Sequence, residues 1–255
     1  MSGEARLSVD GHVATITIDN PPVNVITADV RHCLLGVLGQ VRDHGGIRAV
    51  VVTGAGDRAF CAGADLREEE QLTPATVRQF LAEDNAVYDQ LEELDCPVVA
   101  AVHGYCMGGG FELALASDIR VVSADTKLCA AGVKVGLVVS TSRLVRLTGL
   151  AAAKDIVLTG RTFTGDEAGR LGVATRVVPA GEERAEAQRI AAEIASRAPL
   201  AVARAKSALH EAADLAFADA YTRELDHFAA LSDTDDHKQA IAAFFRKETP
   251  RFAGQ

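Results

Sequence analysis

The chain has 255 residues and a formal net charge of −9 at pH 7, a balance that argues against general binding to nucleic acid or to an anionic membrane surface. Its length allows one large domain, or a domain with a helical appendage. No apolar run is long enough to span a bilayer and the N-terminus lacks a signal-peptide pattern, so we expect a cytoplasmic protein. The five cysteines contain no CxxC pair and no metal-ligand spacing, which predicts reduced thiols and no metal site.

The N-terminal part of the chain alternates strands with helices. Residues 6–18 predict a hairpin around Asp10-Gly11, a dipeptide typical of two-residue turns. Thr27 can cap a following helix, because side-chain oxygens of threonine accept from the first free N–H groups. The apolar positions of that helix follow the helical period and are Val30, Leu34, Val37, Leu38 and Val41.

A second strand–helix–strand unit follows the first. Apolar strands at 49–53 and 98–102 flank a helix predicted over 74–94, with Thr73 as its cap and Pro74 in its first turn. The charged stretch 67–72 predicts a mobile surface loop. Repetition of this unit predicts a parallel α/β architecture.

The stretch 97–122 is the one around which the rest is organised. An apolar strand leads into Gly104 and then into the triple glycine 108–110, and a helix begins directly afterwards. Glycines permit unusual dihedral angles and close approach of the backbone to a ligand. Glu112 lies in the first turn of this otherwise apolar helix, where a half-buried carboxylate needs a reason. Free backbone N–H groups next to a carboxyl group suit a site that forms and quenches an enolate; a tight strand-to-helix crossing is the alternative.

A second glycine-rich block, RAFCAGADL, follows the strand at 49–53. Together with HGYCMGGGFELALASDIR it resembles the crotonase superfamily, whose best-known members are enoyl-CoA hydratases and isomerases. The resemblance extends to NPPVNVIT, to GRTFTGDEAGRLGVATRVVP and to DDHKQAIAAFFRKETPRF, which is nearly the whole chain. It implies an α/β fold built as a crotonase-like spiral of ββα turns, with residues 1–195 as the core that holds the acyl-CoA site. Residues 196–255 would form a C-terminal helical region that assembles trimers, or dimers of trimers.

The C-terminal part supports a helical region from its own pattern. Thr164 and Glu167 form a capping-box pair, and a short strand is predicted at 176–178. Gly160 closes a helix predicted over 150–158. The remaining predicted helices cover 181–196, 200–209, 211–231 and 235–247.

The resemblance also assigns the catalytic groups. The backbone N–H groups of Ala64 and Gly109 would hold the thioester oxygen as it becomes an enolate, which lowers the barrier to reaction at the neighbouring carbon. Glu112 would serve as general acid or base. Coenzyme A would enter as part of the substrate, and no separate cofactor is implied.

The same resemblance gives a set of coenzyme A contacts. Asn24, Val25 and the 62–67 block would line the adenine and pantetheine, and Lys247 would reach the phosphates of coenzyme A on a neighbouring subunit. An alternative for Lys247 is an ordinary solvated basic tail. The complete set is Asn24, Val25, Ala62, Asp65, Leu66, Arg67, Phe244 and Lys247.

One position departs from the family pattern. Hydratases carry a second glutamate four residues before the glycine that corresponds to Gly136, and here that position is Gly132. Hydration works best with two carboxylates, so three readings stay open. They are a hydratase-like enzyme with one acid, a decarboxylase, thioester hydrolase or lyase of the same superfamily, and a non-catalytic acyl-CoA-binding paralogue. The hydroxyls of Ser140, Thr141 and Ser142 can position water, but capping of the next helix is the interpretation favoured by residue type.

Overall fold

A computed structural model describes residues 3–255 of the chain as two sheets wrapped by helices. In chain order the strands are β1 (Glu4–Asp10), β2 (Val13–Asp19), β3 (Ala49–Gly54), β4 (Ala59–Cys61), β5 (Val98–Val102), β6 (Tyr105–Met107), β7 (Ile119–Ser123), β8 (Lys127–Cys129), β9 (Phe163–Thr164) and β10 (Arg176–Val178). The helices are α1 (Ala28–Asp43), α2 (Leu66–Glu70), α3 (Val77–Glu92), α4 (Gly109–Leu115), α5 (Thr141–Thr159), α6 (Gly165–Arg170), α7 (Glu183–Ala195), α8 (Pro199–Ala212), α9 (Phe217–Ser232) and α10 (Asp235–Arg246). A 3-10 helix spans Ala131–Val135.

The main sheet has six strands in the order β1-β2-β3-β5-β7-β10. The hairpin β1–β2 is antiparallel, with Asp10 opposite Val13 across the predicted turn. All other pairs in this sheet are parallel. The central strands β3 and β5 are buried along their whole length, which explains why they read as continuous apolar runs rather than as alternating patterns.

The second sheet shows how the chain builds its spiral. Its strand order is β4-β6-β8-β9. Strands β3, β5 and β7 of the main sheet are followed directly by β4, β6 and β8 of the second sheet, and then by helical segments. This succession is the predicted spiral of ββα turns. The loops that end β4 and β6 therefore lie side by side, because those two strands are parallel neighbours.

The two faces of the main sheet carry separate clusters of apolar side chains. Helix α7 covers one face with Ala187, Ala191 and Ala195, which pack on Val51 and Val99. The other face supports the larger core, which includes the five apolar positions predicted for α1. Alternate residues of each strand thus enter different clusters, as the period of two in a strand requires.

Several helix ends follow the sequence predictions. Thr27 caps α1 by accepting from the N–H of Val30, and Thr164 with Glu167 forms a complete capping box on α6. Gly160 ends α5 in the left-handed conformation. Helix α5 also contains a break at Gly149, whose φ of 75° and ψ of 168° divide it into a first part, 141–148, and a second part, 150–159.

The predictions for the charged stretch 67–72 and for the start of the next helix were wrong. Residues 66–70 form the short helix α2, because the side chain of Asp65 accepts from the N–H of Arg67 and starts a turn. Helix α3 begins at Val77 rather than at Pro74, because the hydroxyl of Thr76 accepts from the N–H of Thr73 and holds residues 73–76 in a separate turn.

The C-terminal helices leave much apolar surface uncovered. Helix α9 has no buried residue, and Phe217 at its start is 85% exposed. Phe244 and Phe245 on α10 are 78% and 79% exposed. Across residues 3–255, no helix combines the length and the apolarity that a membrane span requires.

Candidate active site

The loops after β4 and β6 bring Ala64 and Gly109 together. A β-carbon added to Gly109 would lie 3.4 Å from the amide nitrogen of Ala64, and one added to Gly63 would lie 3.2 Å from the amide nitrogen of Gly109. The loop after β4 is further fixed by the N–H of Ile26, which donates to the oxygen of Gly63 over 2.8 Å. The two amides predicted to hold the thioester oxygen are therefore neighbours across the two loops.

Glycine is required at both turns for conformational reasons. Gly63 has φ of 102°, and Gly108 has φ of 50° with ψ of −118°, values that side chains with a β-carbon rarely adopt. Gly63 is also pressed against the oxygen of Met107, which would lie 2.9 Å from an added β-carbon. These two constraints account for glycine at the points where the chain turns toward the site.

Glu112 lies one turn into α4, three residues after Gly109. Its N–H donates to the oxygen of Gly108 over 3.0 Å, so the carboxyl group is carried by the first turn of the helix. Its side chain is 13% exposed. The structure thus places a half-buried acid in the helical turn that begins at Gly109, and its role as general acid or base stays a prediction.

Arg143 from the first turn of α5 contacts Glu112. Its Nη1 lies 3.5 Å from Glu112 Oε2, its Nη2 lies 2.7 Å from Asp89 Oδ1, and its Nε lies 3.0 Å from Glu92 Oε2. Burial opposes the charged form of the guanidinium, but Glu92, Asp89 and Glu112 together outweigh it and raise the pKa of Arg143. The arginine therefore stays charged and binds one oxygen of Glu112.

The space expected for a second glutamate is filled in this chain. A β-carbon on Gly132 would lie 2.8 Å from Cγ2 of Val139, 2.9 Å from the oxygen of Leu137 and 3.1 Å from the nitrogen of Val139. Two of these three atoms belong to the backbone, so the loop before α5 closes on Gly132 rather than leaving a vacant pocket. The chain has no room for a side chain at this position.

Ser140 occupies the position before α5 but does not cap it. Its φ of 61° lies in the left-handed region, its side chain makes no hydrogen bond to the helix, and its Oγ is buried without a partner. The capping role favoured for it was therefore wrong. Thr141 and Ser142 are the exposed first residues of α5.

Several of the residues predicted to bind coenzyme A lie near the two loops. The N–H of Ala62 donates to the oxygen of Val23, and Ile26 pairs with Ala64, so the segment 23–26, which includes Val25, runs beside the β4 loop. The Asn24 side chain is buried; it donates to the oxygens of Ala55 and Ala59 and accepts from the N–H of Asn20. Its amide thus fixes a turn, and a contact with coenzyme A would fall to the backbone.

The remaining residues of that set lie in two separate places. Asp65 caps α2, while Leu66 and Arg67 are exposed on its first turn. Phe244 and Lys247 lie at the end of α10, a helix that packs against α9. Lys247 ends that helix with φ of 56° and is exposed. A role for this pair in binding coenzyme A stays a prediction.

Sequence reasoning missed Arg143 and Tyr88. Arg143 stands 31 residues from Glu112, and no local pattern indicates that contact. Tyr88 reads as one apolar position of α3, yet its hydroxyl oxygen would lie 2.6 Å from a β-carbon on Gly109. Its hydroxyl donates to Asp84 over 3.0 Å.

A large cavity lies beside Arg143. It encloses about 760 Å³ between α8 and the core, and its walls include Leu115, Ile119 and Leu209. Arg143 lines it, whereas Ala64, Gly109 and Glu112 do not. The two predicted amide donors and Glu112 therefore lie outside this cavity.

Comparison with known proteins finds relatives that match nearly the whole chain. A family model described as Enoyl-CoA hydratase/isomerase matches residues 8–255. A short-chain-enoyl-CoA hydratase of Clostridium acetobutylicum is 35% identical over 245 residues, covering 94% of each chain. A carnitinyl-CoA dehydratase of Proteus mirabilis is 34% identical over 262 residues and covers 100% of both. The solved structure of an enoyl-CoA hydratase from Bacillus anthracis superposes with a TM-score of 0.95 at 31% identity, covering 99% of this chain and 100% of that one. The chain belongs to the enoyl-CoA hydratase/isomerase family and has its crotonase fold.

Proposed function

We propose that this enzyme adds water reversibly across the 2,3 double bond of a 2-enoyl-CoA thioester. The observation that carries the proposal is the pair of neighbouring amides, Ala64 and Gly109, one helical turn from the half-buried Glu112. Backbone amides of this kind stabilise negative charge on a carbonyl oxygen, and a carboxylate beside them can move a proton. Relatives described as hydratase and dehydratase support the same reaction in its two directions.

The geometry supports a mechanism with one carboxylate. The thioester oxygen accepts hydrogen bonds from Ala64 and Gly109 while the oxygen of a water molecule bonds to carbon 3. Glu112 takes a proton from that water, and carbon 2 then receives a proton from Glu112 as the enolate collapses. Arg143 binds Oε2 of Glu112, which leaves Oε1 for both transfers. The water is thus added completely, and Glu112 ends in its starting state.

The test is a hydration assay on purified protein. Crotonyl-CoA and a longer 2-enoyl-CoA are supplied, and loss of the absorbance of the conjugated thioester is followed. We expect turnover with at least one of them. Tight binding of both esters without any loss of absorbance would reject hydration.

A second candidate rests on Gly132 and Val139. Because the loop closes the place of a second acid, a reaction that generates the enolate without a base is also suited to this site. Decarboxylation of a malonyl-type thioester is such a reaction: carbon dioxide leaves, the enolate forms in the amide pair, and an acid protonates it. Release of carbon dioxide from malonyl-CoA, with no hydration of crotonyl-CoA, would favour this candidate. A thioester hydrolase or another lyase would be found with a panel of β-keto thioesters, and a non-catalytic binder would turn over none.

The coenzyme A part of the substrate is proposed to bind along segment 23–26 and residues 62–67. Phe244 and Lys247 of a neighbouring subunit would complete this binding site. Coenzyme A is then part of the substrate, and the reaction needs no further cofactor.

The uncovered aromatic residues of α9 and α10 support assembly into a trimer or a dimer of trimers, since exposure of such surface to water is unfavourable. Light scattering on the purified protein tests this, and a monomeric mass would reject it. The five free thiols support a reducing compartment such as the cytoplasm.

A further inference from the structure

A chain of polar side chains runs behind the two amides of the site. It starts on α2, which begins two residues after Ala64, and it ends at the hydroxyl that touches Gly109. We call it the clamp, and its members are Glu68, Arg31, Asp84 and Tyr88.

The first half of the clamp joins α2 to α1. Glu68 Oε1 accepts from the N–H of Ala28 over 2.7 Å, and its Oε2 lies 3.3 Å from Arg31 Nη2. The N–H of Glu68 donates to the oxygen of Asp65, the residue next to Ala64. Movement of the Ala64 loop is therefore tied to a nearly buried arginine.

The second half joins α1 to Gly109 through α3. Arg31 Nη1 lies 3.7 Å from Asp84 Oδ1, and both atoms are buried without a hydrogen-bond partner. Tyr88 donates to Oδ2 of the same carboxylate. Burial and the nearby Asp84 raise the pKa of Tyr88, so its hydroxyl keeps its proton at neutral pH. The hydroxyl packs directly against Gly109 and leaves no room for a side chain there.

We propose that the clamp sets the distance between the amide nitrogens of Ala64 and Gly109, and thereby the strength of their hold on the enolate oxygen. Its members are positioning residues, because they act through these two amides. A buried ion pair contributes little to stability compared with an apolar replacement. The four polar side chains of the clamp therefore need another reason to lie behind one small site. A fixed spacing of the two amide donors is such a reason, because hydrogen-bond donors stabilise an enolate oxygen effectively only when they are preorganised. The inference rests on the proposed enolate chemistry but not on hydration itself.

The test reads the enolate directly. Acetoacetyl-CoA is added to each variant, and the near-ultraviolet absorbance of its enolate is recorded beside kcat and KM for crotonyl-CoA. In Tyr88→Phe we expect the enolate fraction and kcat to fall together by about tenfold, with little change in KM. Glu68→Gln should lower both in the same direction. Glu70→Gln, an exposed change on the same helix, serves as the matched control and should alter neither.

The double variant Tyr88→Phe with Glu68→Gln distinguishes one chain from two separate effects. If both residues act through the same spacing, the double variant loses little more than the worse single variant. The proposal would be overturned if the fold-losses in kcat of the two single variants multiplied in the double variant. A fall in kcat with unchanged enolate absorbance would also overturn it. Thermal unfolding of each variant shows whether it is folded. Enolate absorbance without hydration by the wild type would reject hydration alone, whereas no enolate absorbance with the wild type would reject the clamp.

Discussion

Arg143 Nη1 lies 3.5 Å from Glu112 Oε2, and the same guanidinium binds Asp89 and Glu92. One arginine thus neutralises part of a group of three carboxylates, of which only Glu112 belongs to the predicted site. In a site with a single acid, the orientation of that acid is the variable that remains to be controlled. We expect Arg143 to control that orientation, because it holds one oxygen of Glu112.

Replacement of Arg143 tests this control. In Arg143→Met we expect kcat for hydration to fall by about 10 to 100-fold, because the carboxylate is released from one geometry. The kcat of Arg143→Lys should lie between those of the wild type and Arg143→Met, because lysine keeps the positive charge but lacks the planar set of donors of a guanidinium group. Added guanidinium ion should restore part of the activity of Arg143→Met. Arg146→Met, one turn later on the same helix and paired with exposed Asp214, is the control; an equal loss there would contradict a specific role for Arg143.

Replacement of Glu112 tests the proton transfer. Glu112→Gln should lower kcat by about 10³-fold, since a positioned acid or base contributes roughly 10²- to 10⁴-fold. Binding of a CoA ester, measured by calorimetry, should change little. Glu93→Gln at the exposed end of α3 should behave as the wild type. Full activity in Glu112→Gln would remove this residue from the mechanism.

A glutamate introduced at position 132, where hydratases of the family carry one, should not increase hydration activity. In Gly132→Glu the new β-carbon would meet the oxygen of Leu137 and the nitrogen of Val139, and the backbone cannot yield as a side chain does. We expect a lower thermal midpoint, equivalent to about 1–3 kcal/mol, and no gain in hydration. A gain in hydration at wild-type stability would show that the loop opens readily.

Replacement of Ser140 by glycine is expected to stabilise the folded protein. Ser140→Gly removes a left-handed serine and an unpartnered buried hydroxyl, which together cost more than the added freedom of glycine in the unfolded chain. The free energy of unfolding should rise by about 1 kcal/mol, measured by urea denaturation. A loss of stability would indicate that Oγ has a partner that the described contacts lack.

A buried ion pair predicts how stability depends on pH. The pair is Asp118 with Lys206. Burial alone would raise the pKa of Asp118, but hydrogen bonds from His210, Lys206 and the N–H of Val98 lower it. A lowered pKa in the folded state means that the stabilisation is present above the unfolded value of about 3.9 and is lost as pH falls through the folded value. Asp118→Asn should therefore cost about 2–4 kcal/mol at pH 7, because it leaves the buried Lys206 unpaired.

The control for this pair is Asp214→Asn. Asp214 is exposed and pairs with the exposed Arg146, so its loss should cost less than about 1 kcal/mol. The difference between the two variants should shrink as pH falls through the lowered pKa of Asp118, because the wild type itself then loses the charge of that carboxylate. A difference that is constant with pH would contradict the ionic explanation.

Much of the fold was predictable from local signals, and the failures have physical causes. The apolar runs of β3 and β5, the cap of α1 and the capping box of α6 are each decided by a few adjacent residues. Helix α2 was missed because its only signal is Asp65, and a charged stretch is also typical of a loop. The start of α3 was misplaced because residues 73–76 form a separate turn before the helix, held by the hydrogen bond from the N–H of Thr73 to the hydroxyl of Thr76.

The site was predictable only as far as its glycines and Glu112. Those residues carry their own signal, since triple glycines and a lone acid in an apolar helix are unusual. The hold of Arg143 on Glu112, the contact of Tyr88 with Gly109 and the closure of Val139 on Gly132 depend on residues far apart in the chain or on the path of a loop. Such contacts become visible only when the strands place the segments side by side.

The break at Gly149 has a consequence for how this protein can vary. The part of α5 that carries Arg143 ends at the break, while Ala153, Ile156 and Val157 of the second part are buried in the core. In an unbroken helix, a residue added or removed near Arg143 would rotate every later side chain by about 100°. Here the rotational phase is set anew after the glycine, and Leu144 anchors the first part to the core independently of the second. A residue added or removed between Leu144 and Gly149 is therefore absorbed at the break, and both anchored parts keep their contacts with the core.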